Sequence, residues 1–171
     1  MSIAQALVAE LDHEAATTRK LLERTPTAAA IAGWKPHEKS MHLGQLACHI
    51  AEIPSWGGPM LHLTELDIKP VDGPAYTSPT FESVEALLAL FDTNVAQARE
   101  SLGSMSDEAY MQPWTMLMGG QTIFTMPRIA VARTWVMNHL IHHRGQYSVY
   151  LRLQGVPVPG IYGPSADEPG M

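Results

Sequence analysis

Three histidines, His139, His142 and His143, fall within five positions of a stretch, MNHLIHHRGQ (residues 137–146), that otherwise has the pattern of an apolar helix. Neutral imidazole is the commonest protein ligand for transition metals. Two imidazoles four residues apart stand one above the other on a helix face, close enough to share one ion. His139 and His143 have that spacing. Spacing alone also fits a hydrogen-bonded core histidine beside a semi-exposed one, so both readings start open.

Helical phase narrows the choice. At about 100° per residue, Ala132, His143 and Tyr150 lie within about 40° of His139, while Trp135, Gln146 and Leu153 lie about 20–40° to its other side. The apolar stripe therefore runs through His139 and His143, and His142 falls at its edge. Thr134, Asn138, Ser148 and Arg152 mark the expected solvent face, with Ile141 as an exception. Arg144, about 100° from His143, is expected off the stripe in an ion pair or a dimer contact.

A third ligand has to come from a facing helix. LGQLACHIAEIPSW (residues 43–56) places His49 on one stripe with Leu46, Ile53, Trp56 and Met60, all within about 60°. His49 is the preferred partner. His42 lies on nearly the same face two turns earlier and competes with it, although a first-turn position is more solvated. His62 follows a Pro/Gly break, and His13 and His37 have no evident partner. Three imidazoles can hold zinc, nickel, iron or copper and leave a position for water or substrate, which permits chemistry. The single cysteine, Cys48, excludes an intramolecular disulfide and a Cys-rich zinc module. It points about 100° away from His49 and reads as a small core residue.

Neighbouring residues carry two readings each. Gln146 can hydrogen-bond a ligand or bound water, or the backbone. Glu52 can orient a ligand or act as a base, or be a surface carboxylate. Trp56, Trp135, Tyr147 and Tyr150 can wall a pocket or fill core. Tyr162 can fold back over the site with the irregular tail, and MQPWTMLMGG can line an adaptable entrance or plug the bundle end.

These residues require helices to position them. Apolar spacing predicts a first helix from Ile3 to Arg24, with Ala4, Leu7, Leu11, Ala15, Thr18 and Leu22 on its inner face. A second runs from a Ser40 N-cap to about Leu66, loosened at Pro54 and Gly57–Gly58. DIKPVDGPAYTSPT is a loop by composition, and a third helix spans about 81–102 with Phe81, Val84, Leu87, Leu88, Phe91, Val95, Ala98 and Leu102 aligned. A long connection follows, with a short hairpin at Gly119–Gly120 as an option. The fourth helix runs from Pro127 to about Gln154, where Gly155 and Pro157 stop it. The expected architecture is an all-α four-helix bundle, one domain over residues 1–171, with the long connection between the third and fourth helices.

Composition bounds the function. Of 171 residues, 46% are hydrophobic and 16% charged, enough apolar material for one substantial core. The net charge of −6, with only 11 Lys+Arg and no basic run, argues against nucleic acid and anionic membrane surfaces as partners. With no leader pattern and no apolar run of membrane length, the expected location is cytoplasmic.

LGQLACHIAEIPSW, NHLIHHRGQYSVYLRLQGVPVPGIYG and the acidic helical chain together resemble the DinB/YfiT-like superfamily, from the first helix to the tail. The H-x3-H-R-G-Q segment followed by G-V-P-V-P is the more specific part, and the histidine of LACHIAE is the second anchor. The resemblance implies a four-helix bundle with a three-histidine metal site, one ligand from the second helix and two from the fourth, which falls on His49, His139 and His143. It also implies a homodimer, and relatives that are thiol-dependent transferases or isomerases using low-molecular-weight thiols such as mycothiol or bacillithiol; metal-dependent hydrolases have been proposed too. Two function classes stay open. One is an enzyme whose divalent metal, zinc or nickel first and iron next, activates a thiol, water or small-molecule substrate for transfer or hydrolysis. The other is a non-catalytic, metal-braced helical dimer in ligand binding or stress response.

Overall fold

The structure, a computed structural model, describes residues 1–73 and 76–169. Its first helix, α1 (Ile3–Leu22), starts at a capping box: the Ser2 hydroxyl accepts from the Gln5 N–H at 3.1 Å, and the Gln5 side chain accepts from the Ser2 N–H at 2.9 Å. All six residues aligned on the expected inner face, from Ala4 to Leu22, are buried. A short turn, α2 (Ala29–Ala32), leads to α3 (Leu43–Glu52). The cap of α3 is His42 rather than Ser40: the His42 Nδ1 accepts from the Gln45 N–H at 3.0 Å. An imidazole acceptor thus replaces the expected hydroxyl two residues later.

The second helix does not run unbroken to Leu66. After Glu52 the chain tightens into a 3₁₀ turn at Ile53–Trp56, with Pro54 in its first turn, and resumes as α4 (Gly57–His62). Next comes a strand, β1 (Glu65–Asp67). Helix α5 (Val84–Gly103), capped by the Ser83 hydroxyl, buries Leu87, Phe91, Ala98 and Leu102. The small α6 (Asp107–Met111) precedes strands β2 (Pro113–Met118) and β3 (Gln121–Pro127). The last long rod is continuous but irregular: α7 (Arg128–Val131), a π-helical stretch at Ala132–Met137, and α8 (Asn138–Leu153).

Helix α1 packs against α5, α5 against α3, α3 against α8, and α8 back against α1. These four rods enclose a core that includes Leu21, Leu43, Ile50, Phe91, Leu140 and Tyr147. The fold is mostly helical, but it is not strictly all-α. Burial alternates along β2, with Trp114 and Met116 inward, so the connection is a period-two strand that shows no helical spacing. It pairs antiparallel with β3 through Gly119 and Gly120, both at positive φ (59° and 75°), the geometry a two-residue hairpin needs. On its other edge β2 pairs in parallel with β1, and the Asp67 carboxylate accepts from the backbone N–H groups of Lys69, Gly119 and Gly120. No described helix is long and apolar enough to cross a membrane.

Candidate metal centre

His49 sits in the last turn of α3, held inward because Leu43, Leu46, Ala47 and Ile50 bury the same helix. His139 and His143 occupy the first turns of α8. The fully buried stripe of α8 is Leu140, Arg144, Tyr147 and Leu151, one residue round from the expected stripe. His139 and His143 are therefore half-buried, at the margin of the core where α8 meets α3. A margin gives an imidazole apolar neighbours without sealing it from solvent.

The structure brings the three histidines together. The Nε2 atoms of His49 and His139 are 3.3 Å apart. Ring centroids are 4.6 Å apart for His49 and His143, and 4.6 Å for His139 and His143. One ligand atom from each of the three lies within 4.8 Å of the others. Zinc–nitrogen bonds of about 2.0–2.1 Å in tetrahedral geometry put two ligand nitrogens about 3.3 Å apart. The His49–His139 pair has that spacing, and the three imidazoles together are a donor set compatible with a divalent transition ion.

Gln146 settles the third ring. Its Oε1 lies 2.7 Å from the His143 Nδ1, so the Nδ1–H donates to it and the Nε2 lone pair stays free. Burial depresses the basicity of all three rings. It takes His49 and His139 down to about 4, with the neighbouring imidazoles adding to the effect, and it lowers His143 against the opposing pull of the Gln146 bond. Neutral rings are the form that binds metal.

Trp56 packs against two of the histidines, its ring centroid 5.5 Å from His49 and 5.1 Å from His139; Trp135 lies 6.2 Å from His139. Both tryptophans also line a cavity of about 570 Å³, with Glu52, Met60, Leu66 and Met116 among its other walls. Glu52, one turn beyond His49, accepts from the Tyr76 hydroxyl. Tyr150 is half-buried away from this cavity, edge-on to Trp34 at 5.7 Å. Cys48 is buried, and burial pushes its thiol up to about 11, so it keeps its proton. His13, His37, His42 and His62 are exposed and stand outside the trio.

The tail does not cover the histidines. It runs to the other flank of α8, where the Tyr162 hydroxyl donates to the Glu14 carboxylate at 2.9 Å and accepts from Arg144 Nη2 at 2.6 Å. Arg144 Nη1 lies 2.6 Å from the Glu14 carboxylate. Arg144 is thus an ion-pair residue as expected, but it is 1% exposed and lies on the buried stripe. Sequence reasoning missed Glu14. The available signal was a carboxylate between Leu11 and Thr18 on the apolar face of α1.

The sequence model of the DinB superfamily matches residues 10–147. A DinB-like protein from Bacillus cereus ATCC 10987 superposes with a TM-score of 0.64 at 22% identity, covering 92% of this chain and 97% of that one. A DinB-like protein from Bacillus subtilis, YjoA, superposes with a TM-score of 0.67 at 20% identity, covering 91% and 97%. The uncharacterized protein YrdA of Bacillus subtilis is 50% identical over 34 residues, a match spanning 20% of each chain.

Proposed function

This chain belongs to the DinB superfamily, and from that premise we propose that it is a divalent-metal-dependent enzyme, with His49, His139 and His143 as ligands. The observation that carries the reading is the convergence of three neutral imidazoles, two with Nε2 atoms 3.3 Å apart and the third with its Nδ1 engaged by Gln146. Three protein ligands leave a coordination position free. When bound, the ion supplies the Lewis acidity that lowers the pKa of a thiol or a water for S-transfer or hydrolysis.

The chain's own residues do the rest. Gln146 fixes the tautomer and orientation of His143. Trp56 holds the His49 and His139 rings by edge contacts and forms part of the adjoining cavity, which is of a size that suits a small molecule. Glu52 and Tyr76 place a carboxylate and a phenol at that cavity, where they can hold or pass a proton. The reading includes a homodimer, which sedimentation of the purified chain tests.

The first experiment is elemental analysis of untagged protein purified without chelator, beside His49→Ala, His139→Ala and His143→Ala. The expected result is about one equivalent of transition metal, lost in each variant while helical circular dichroism persists. Screens of the loaded protein with thiol plus electrophile, and with esters and amides, then identify the reaction. No metal after reconstitution overturns the reading. Metal that raises the melting temperature while every screen stays blank replaces it with a metal-braced bundle.

A further inference from the structure

The cavity beside the histidines is one-sided in charge. Its walls are Trp56, Trp135, Met60, Met116 and Leu66, a surface suited to a flat or branched apolar body. Among the described residues, no lysine or arginine lines it, and its ionisable carboxylates are Glu52 and Asp67. Asp67 is committed to the fold through three backbone N–H groups. Glu52 is not. It is half-buried, and its partner among the described residues is the hydroxyl of Tyr76, an exposed residue.

We infer that this cavity selects substrates with an apolar or aromatic body and an ammonium or similar donor group, the body resting on Trp56 and Trp135 and the donor on the Glu52 carboxylate. The inference rests on the metal-dependent reading for the chemistry that follows binding, but not for the selectivity itself. Within the lining itself, a carboxylate-bearing ligand would meet Glu52 and Asp67 with no lysine or arginine to offset them, and like charges in a partly desolvated cavity repel. A donor group would instead make a charge-assisted hydrogen bond. Tyr76 donates to one Glu52 oxygen and so takes up part of the acceptor capacity that an arriving donor would meet, which makes its hydroxyl a modulator of affinity.

The test is calorimetric titration with three matched probes: 1-naphthylmethylamine, 1-naphthylmethanol and 1-naphthoate. It uses the zinc-loaded protein and the metal-free His143→Ala variant, so that ligation of zinc by the amine is separated from binding in the cavity. In the metal-free His143→Ala variant the expected order is amine, then alcohol, then carboxylate, with about a tenfold or larger gap between amine and carboxylate; in the zinc-loaded protein the ion attracts the carboxylate and narrows that gap. Glu52→Gln should close that gap. Tyr76→Phe should strengthen amine binding, and Trp135→Ala should weaken amine and alcohol together. Equal affinity for amine and carboxylate in the metal-free variant, or an order unchanged when Glu52→Gln is added to it, overturns the inference. An amine preference that vanishes in His143→Ala also overturns it, because the amine is then a zinc ligand. If the chain binds no metal yet keeps the Glu52-dependent order, the metal reading fails and this one stands.

Discussion

The two flanks of α8 carry adjacent residues with opposite fates. His143 faces α3 and meets two more imidazoles, each a base with a lone pair; Arg144 faces α1 and meets a carboxylate and a phenol. On the Arg144 side each charge has its counter-charge within the protein: Arg144 bonds Glu14, Thr18 and Tyr162, and Glu14 is 5% exposed. On the histidine side, three neutral imidazoles converge and bring no counter-charge. A closed cluster fixes structure; an open one has chemistry left to do, here the binding of a cation.

The contrast can be broken at its closed end first. Arg144→Ala strands Glu14 in the core and should cost about 3–5 kcal/mol of stability, read as a fall in the urea midpoint. Pairing it with Glu14→Leu should recover much of the loss, since apolar replacement of a buried pair is often neutral. Gln146→Leu sharpens the open end. It should weaken zinc binding by about 10–100-fold in a chelator competition while leaving the urea midpoint of the metal-free protein in place, because Gln146 is exposed. Tyr162→Phe removes one hydroxyl from the closed cluster and should cost about 1 kcal/mol without changing metal content.

The smallest effect concerns acid. Asp167 pins the tail through Arg152 at 2.5 Å and the Val158 N–H at 2.9 Å, and the Arg152 bond holds its carboxyl below the usual range. A folded-state pKa below the unfolded one adds stability above the unfolded value, near 4, that is lost as pH falls through the folded one. The tail should therefore loosen below about pH 4, seen as faster amide exchange at Val158, while amides in α3 stay protected.

Much of the histidine flank could be read from the chain because its information is local. The i,i+4 pair lies on one helix, and the apolar spacing around His49 points the third ring inward. The Pro54 break and the Gly119–Gly120 turn were legible for the same reason: proline and paired glycines act on their own backbone. The other flank was not legible as a whole. Arg144 lies on the stripe of Leu140, Tyr147 and Leu151, and only a partner 130 residues away makes a buried guanidinium tolerable there. Strand β1 is three residues long and exists because β2, about fifty residues later, supplies its hydrogen bonds.

The π-helical stretch at Ala132–Met137 makes the rod that carries the site a two-part instrument. Its carbonyls are reached from five residues on, as in the bond from the Asn138 N–H to the Arg133 carbonyl, so it holds more chain per turn than an α-helix. Shortening the chain by one residue there would let the turn relax to α geometry. His139 and His143 would keep their spacing on α8 and the helix upstream would keep its phase, while the residues of the turn itself, Trp135 among them, would change their facing toward the cavity. Insertions and deletions at this one turn could thus retune what the cavity accepts across a lineage without touching the histidines.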